Sequence, residues 1–143
     1  MLARYDVVVI GAGPAGEGAA MKLVKEGRRV AVIDQLGEVG GNCAHVGTIP
    51  SKALRQTVYN LMRFRRDPLL SRMADIRSLP LSQVLARAHK VIDIQVTTHH
   101  RFFERNDVDL YYGEARFEDD HTMSVLTSEG VSGRIGFESA VIA

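Results

Sequence analysis

The first strong pattern in the chain is a continuous apolar run, Val7-Val8-Val9-Ile10, with no polar alternation. A β-branched run of this kind predicts a strand buried on both faces, as in a parallel sheet. Gly11 ends it. Over residues 14–26 the apolar positions Ala15, Ala19, Ala20, Leu23 and Val24 form one stripe of a helix. Pro14 suits its first turn and Gly27 its stop. Residues 29–34, Arg-Val-Ala-Val-Ile-Asp, predict a second strand. Strand, helix and strand in succession make one right-handed βαβ unit.

Residues 35–50 carry four glycines and predict a loop. A helix is predicted over 51–65 and is broken by Asp67-Pro68. Residues 69–80 read as loop or short helix. Ser82 is placed as the N-cap of a long helix over 83–105, with Val84, Leu85, Ala88, Val91, Ile92, Val96, Phe102 and Phe103 among its apolar positions. Asn106 closes it. Short strands follow at 108–112, 114–117, 122–126 and 134–143. The expected fold class is α/β: a Rossmann-like parallel sheet, a helical excursion over 51–106 and a small β meander. Residues 1–143 are expected to form one dinucleotide-binding domain. Their last residues read as the first part of a further buried strand, so a longer polypeptide is expected.

Composition narrows the class. The chain has 143 residues, 45% of them hydrophobic and 24% charged, which excludes a disordered chain, a collagen and a simple coiled coil. Its one cysteine excludes an internal disulfide framework and suits a reducing compartment. No apolar run approaches the ~18 residues of a membrane helix. The polar opening Met1-Leu2-Ala3-Arg4-Tyr5-Asp6 is unlike a signal peptide. A soluble cytoplasmic chain with no membrane partner is therefore expected. The net charge of +1 conceals a segregation: residues 52–105 carry 11 basic and 4 acidic side chains, residues 106–143 carry 2 and 8. Arg63, Arg65 and Arg66 lack regular aromatic interleaving, so solvated helix faces are read there and no nucleic-acid partner is expected.

The chemistry starts at Gly11-Ala12-Gly13-Pro14-Ala15-Gly16, a G-x-G-x-x-G placed after a strand and opening a helix. Its glycines serve a tight turn, backbone approach to a pyrophosphate and close helix–strand packing, and the helix N-terminus faces the phosphates. Asp34 closes the second strand, where an acid accepts hydrogen bonds from ribose hydroxyls and repels a 2′-phosphate. Gly11, Gly13, Pro14, Ala15, Gly16, Asp34 and the following Gln35 are the candidate cofactor contacts. This fingerprint alone does not separate FAD from NAD. Glu17 reads as a complement to the helix dipole. Cys43 and His45 make at most half a metal site, and no metal is expected. His99 and His100 adjoin on the long helix and read as surface or interface packing.

The segment Gly40-Gly41-Asn42-Cys43-Ala44-His45-Val46-Gly47-Thr48-Ile49-Pro50-Ser51-Lys52 resembles the flavoprotein disulfide reductase family. In that family two cysteines stand five apart before Ile-Pro-Ser-Lys. Here Cys43 matches the first and Thr48 replaces the second, flavin-adjacent one, so dithiol chemistry is excluded. The variant is similar to the soluble pyridine nucleotide transhydrogenase group of that family. So are Gly16-Glu17-Gly18-Ala19-Ala20-Met21, Ser51-Lys52-Ala53-Leu54-Arg55, Glu104-Arg105-Asn106 and the Gly113 to Phe117 stretch. The resemblance covers nearly the whole chain.

It implies an FAD-dependent oxidoreductase that passes a hydride between NADPH and NAD, with FAD held by the first βαβ unit and NAD(P)H as substrate. It implies a homo-oligomer in the full-length protein. It also implies that Lys52 lies near flavin N5 and that Thr48 faces the ring; these two are the catalytic candidates. Gly40, Gly41, Asn42, Cys43, Lys52 and Ala115 are implied cofactor contacts, Ala115 through its backbone at the adenosine. With threonine at 48, electrons stay on the flavin until a nicotinamide takes them. Two other readings stay open: another FAD/NAD(P)H reductase with a different acceptor, and a non-catalytic nucleotide-binding, redox-sensing module.

Overall fold

The computed structural model describes residues 2–72 and 79–143. They fall into two compact units, Met1–Gly41 with Val96–Ala143, and Asn42–Gln95.

In the first unit, strand β1 (Ala3–Ile10), helix α1 (Pro14–Lys25) and strand β2 (Val30–Asp34) form the βαβ unit. Val7 to Ile10 pair in parallel with Val30 to Ile33. Strand β3 (Asp109–Tyr112) adds in parallel to β2, with Tyr112 opposite Asp34. Strands β4 (Glu114–Asp119), β5 (Thr122–Thr127) and β6 (Gly130–Ile142) form an antiparallel meander. The meander is hydrogen-bonded to the parallel strands through β6. All six strands make one sheet in the order β3-β2-β1-β6-β5-β4, because β6 is 13 residues long and changes partner along its length. Its first half pairs with β5, and Ile135 to Ile142 pair in parallel with β1.

The apolar run of β1 is buried on both faces, as a parallel strand requires. Val9, Val30 and Val32 pack on one face with Ala20 and Met21 of α1 and with Phe103 and Val108. Val8, Ala31 and Ile33 pack on the other with Met123, Val125, Ile135 and Phe137, so the meander curls over the parallel strands. Each of these fully buried valines contributes about 1.5–3 kcal/mol of transfer free energy. Tyr5 is buried too, at 4% exposure, and its hydroxyl donates to Asp109 at 2.7 Å and meets the Tyr111 hydroxyl at 2.7 Å. Burial, reinforced by those neighbours, holds the Tyr5 hydroxyl protonated well above the ordinary tyrosine range.

The second unit is helical. The expected loop over 35–50 contains a short helix, α2 (Gly41–His45). The next helix, α3 (Thr48–Arg66), starts three residues before the expected Ser51. Pro50 falls in its first turn, where a missing N–H costs nothing. Within 69–80 a 3₁₀ turn forms at Leu70–Arg72, started by Asp67, whose Oδ1 accepts from the Leu69 and Leu70 N–H groups; residues 73–78 lie outside the described residues. Helix α4 (Leu81–Glu104), whose residues from Val96 on belong to the first unit, begins one residue before Ser82, which therefore lies inside the helix instead of capping it. Asn106 closes α4 as expected, its side-chain amide donating to the Phe102 carbonyl at 2.7 Å. Among the described residues no helix is long and apolar enough to cross a membrane.

Candidate dinucleotide site

The site is built where β1 ends. Gly11 has φ +106°, which favours glycine, and a Cβ there would lie 2.3 Å from the Ala143 carbonyl oxygen. Its N–H donates to the Ile33 carbonyl at 2.7 Å, which ties the turn to β2. A Cβ on Gly16 would lie 1.9 Å from the Gly11 carbonyl oxygen, so α1 can start this close to the strand only with glycine there. Gly13 is the N-cap of α1 and offers no side-chain cap. The first-turn N–H groups of a helix have no partner within it. Ala15 and Gly16 therefore present theirs at the positive end of the helix. Pro14, with no N–H to lose, occupies the first position.

The two glycine segments meet. The Gly40 N–H donates to the Ala12 carbonyl at 2.8 Å. A Cβ on Gly41, φ +54°, would lie 2.9 Å from Gly13 Cα. A Cβ on Gly13 would meet only Gly41 Cα, at 3.9 Å, so backbone alone bounds the space over the turn. Close main-chain approach of this kind is what a diphosphate site at a helix N-terminus requires.

Asp34 is 8% exposed and holds the turn from below. Its Oδ2 accepts from the Ala12 N–H at 2.7 Å and its Oδ1 from the Leu36 N–H at 2.9 Å. A carboxylate offers about four acceptor sites. The two remaining can serve two ribose hydroxyls, and the negative charge disfavours a 2′-phosphate. The Asp34 carbonyl accepts from the Gly113 N–H at 2.9 Å. Gly113, at φ +149°, turns the chain from β3 into β4, and a Cβ there would lie 2.5 Å from the Leu126 carbonyl oxygen. Ala115 follows in β4, half-buried opposite Val125. Gln35 is exposed and lines an open cleft of about 510 Å³ with Leu36, Gly37, Tyr112, Gly113 and Glu114. Burial, with the charges of Asp34 and Glu104, raises the pKa of Tyr112.

The structure thus brings Gly11, Gly13, Pro14, Ala15, Gly16, Asp34, Gln35, Gly40, Gly41 and Ala115 into one unit. Asn42, Cys43, Thr48 and Lys52 belong to the other. Cys43 lies in α2 and is half-buried; Thr48 and Lys52 are exposed in the first turns of α3. Cys43 and Thr48 do not share a helix, because the chain breaks at Val46-Gly47, whose N–H groups both donate to the Asn42 carbonyl. Among the described residues no group of three or more His, Cys, Asp or Glu side chains could hold a metal.

Two contacts have no local signal in the sequence. His99 Nδ1 bonds Glu17 Oε2 across 82 positions, so Glu17 does more than complement the helix dipole. His100 lies against Tyr112, with ring centroids 6.2 Å apart and its Nε2 3.3 Å from the hydroxyl. Gly113, by contrast, had a readable signal: an isolated glycine between two alternating segments.

The family described as Pyridine nucleotide-disulphide oxidoreductase matches residues 5–143, and the chain belongs to it. It is 48% identical over 140 residues to the soluble pyridine nucleotide transhydrogenase of Ectopseudomonas mendocina, and 47% identical to that of Azotobacter vinelandii. These alignments cover 98% of this chain and 30% of each relative, so the chain spans about a third of the curated relatives it matches. Among solved structures, the HOCl-induced flavoprotein disulfide reductase RclA from Escherichia coli, in its Cu(II) complex, superposes with a TM-score of 0.76. It is 27% identical, covering 99% of this chain and 29% of that one.

Proposed function

We propose that the chain binds FAD and is the flavin-holding part of an enzyme that moves a hydride between NADPH and NAD. The observation that carries this reading is the Asp34-locked glycine turn in a chain with threonine at 48 and 48% identity to a transhydrogenase. Bound there, FAD would link two nicotinamide half-reactions. The residues bind and orient it. The Ala15 and Gly16 N–H groups hold the diphosphate, and Asp34 accepts the ribose hydroxyls. Gln35 and the Ala115 backbone serve the adenosine side, and Gly40, Gly41, Asn42 and Cys43 are further cofactor contacts by the family resemblance. Thr48 and Lys52 act on the flavin side, where the Lys52 ammonium favours negative charge on the reduced ring. The full protein is proposed to be a cytoplasmic homo-oligomer.

The test is to purify the protein, release its ligand by denaturation and identify it by chromatography. Released FAD and the visible flavin absorbance support the reading; NAD or no nucleotide overturns it. The 143-residue chain by itself is expected to show no transhydrogenation, because it has one dinucleotide fingerprint and the reaction needs a flavin site and a nicotinamide site. Hydride transfer from NADPH to a thio-analogue of NAD by this chain alone would refute that.

Thr48→Cys in the full-length enzyme tests whether residue 48 lies at the ring, the placement on which the transhydrogenase reading depends. The new thiol and Cys43 are expected to oxidise to a disulfide, which on two-electron reduction returns two thiols, one ionised beside the ring. A long-wavelength absorbance band should then appear, and transhydrogenation should slow. If no band develops in a reductive titration and thiol counting finds both sulfurs free under oxidising conditions, Thr48 is not at the ring.

A further inference from the structure

Glu17 stands in the first turn of α1, the end assigned above to a dinucleotide diphosphate. A carboxylate in that turn suits the helix dipole. Left free, it also sets a negative charge beside two more. In the structure it is not free: its Oε2 bonds Nδ1 of His99 on α4. An ionised carboxylate only accepts, so Nδ1 carries the proton and donates. The two side chains are 20% and 27% exposed, a partly desolvated contact in which such a hydrogen bond is strong. Its base is rigid, because Val96, Phe102 and Phe103 pack on the same core cluster as Ala19, Ala20 and Met21 of α1.

We infer that His99 is a positioning residue for the cofactor: its Nδ1–H holds the Glu17 carboxylate against α4 and so keeps that charge off the diphosphate end of α1. The inference rests on the reading that this helix end holds the FAD diphosphate, and it adds a requirement for a residue that touches no cofactor.

The experiment is FAD titration of apoprotein prepared from the full-length flavoprotein, at low ionic strength, for wild type and three variants. His99→Ala leaves the carboxylate untethered and should weaken FAD binding roughly three- to tenfold, a gap that narrows in high salt. His99→Asn offers an amide N–H near the place of Nδ1–H and should bind within about twofold of wild type. The double variant Glu17→Gln, His99→Ala removes the charge along with its tether and should also return to within about twofold. A mere packing role predicts the opposite, since the double variant would then stay as weak as His99→Ala, and that result overturns the proposal. So does a His99→Ala protein that binds FAD like wild type. Failure of the underlying reading looks different: wild-type protein itself takes up no FAD.

Discussion

Asp34→Ala is expected to cost the protein about 2–4 kcal/mol of stability before any cofactor is added. The carboxylate accepts two main-chain N–H groups, from Ala12 at 2.7 Å and Leu36 at 2.9 Å, in a site where Asp34 is only 8% exposed. Alanine leaves the buried Ala12 N–H without an acceptor, at about 1–3 kcal/mol, and the part-buried Leu36 N–H, which water can reach, adds about 1 kcal/mol. FAD affinity should fall by a further ~1–3 kcal/mol, because the ribose hydroxyls lose a charged acceptor and the turn above loses its anchor. Asp34→Asn should fall between, since one amide oxygen remains while the amide nitrogen is a donor and cannot accept from a backbone N–H. Urea unfolding of the apoprotein reads the first effect and FAD titration the second. Wild-type stability in Asp34→Ala would mean that the acid does not hold the turn.

Gly16→Ala should abolish measurable FAD binding. The added Cβ would lie 1.9 Å from the Gly11 carbonyl oxygen and 3.3 Å from Val9 Cγ1, so α1 must move away from β1. The movement displaces the N–H groups of the first turn and opens the core beneath it, at about 3 kcal/mol. Gly18→Ala, two residues along the same helix, is the control. Its Cβ would meet nothing within 4 Å, and alanine in a helix interior should raise stability by about 0.5–1 kcal/mol. If the close approach at Gly16 is what matters, thermal unfolding shifts in opposite directions in the two variants and flavin is lost from Gly16→Ala alone. Equal flavin content in both would refute it.

Part of the site is legible in the sequence because its physics is local. The run Val7-Val8-Val9-Ile10 and Gly16, which must clear the Gly11 carbonyl, answer demands made within a few residues; Gly11, Gly13 and Asp34 meet Ala143, Gly41 and Ala12 far along the chain and are legible only as a known spacing pattern. Helix starts are less legible. Pro50 looks like a boundary because proline breaks helix interiors, yet a first turn accepts it, so α3 begins at Thr48. Helix α2 is five residues long, too short to show a period. The union of the meander with the parallel sheet left no local trace, because Val9 meets Val141 by a pairing of remote segments. The same holds for His99 and Glu17. The roles proposed for Cys43, Thr48 and Lys52 rest on resemblance alone, since no spacing rule distinguishes a flavin lysine from a solvated one.

The double engagement of β6 sets the order in which the molecule can be made. As the chain leaves the ribosome, β1, α1 and β2 emerge first, but the second parallel neighbour of β1 lies at residues 135–142. Until those residues appear, one edge of the most apolar strand has open N–H and C=O groups and no cover. Pairing between such remote segments is slow to close. The nascent chain is therefore most prone to aggregate during its own synthesis, while residues 35–134 pass through the tunnel. A holdase that shields the open edge over that interval would raise the yield of native protein without touching the finished fold.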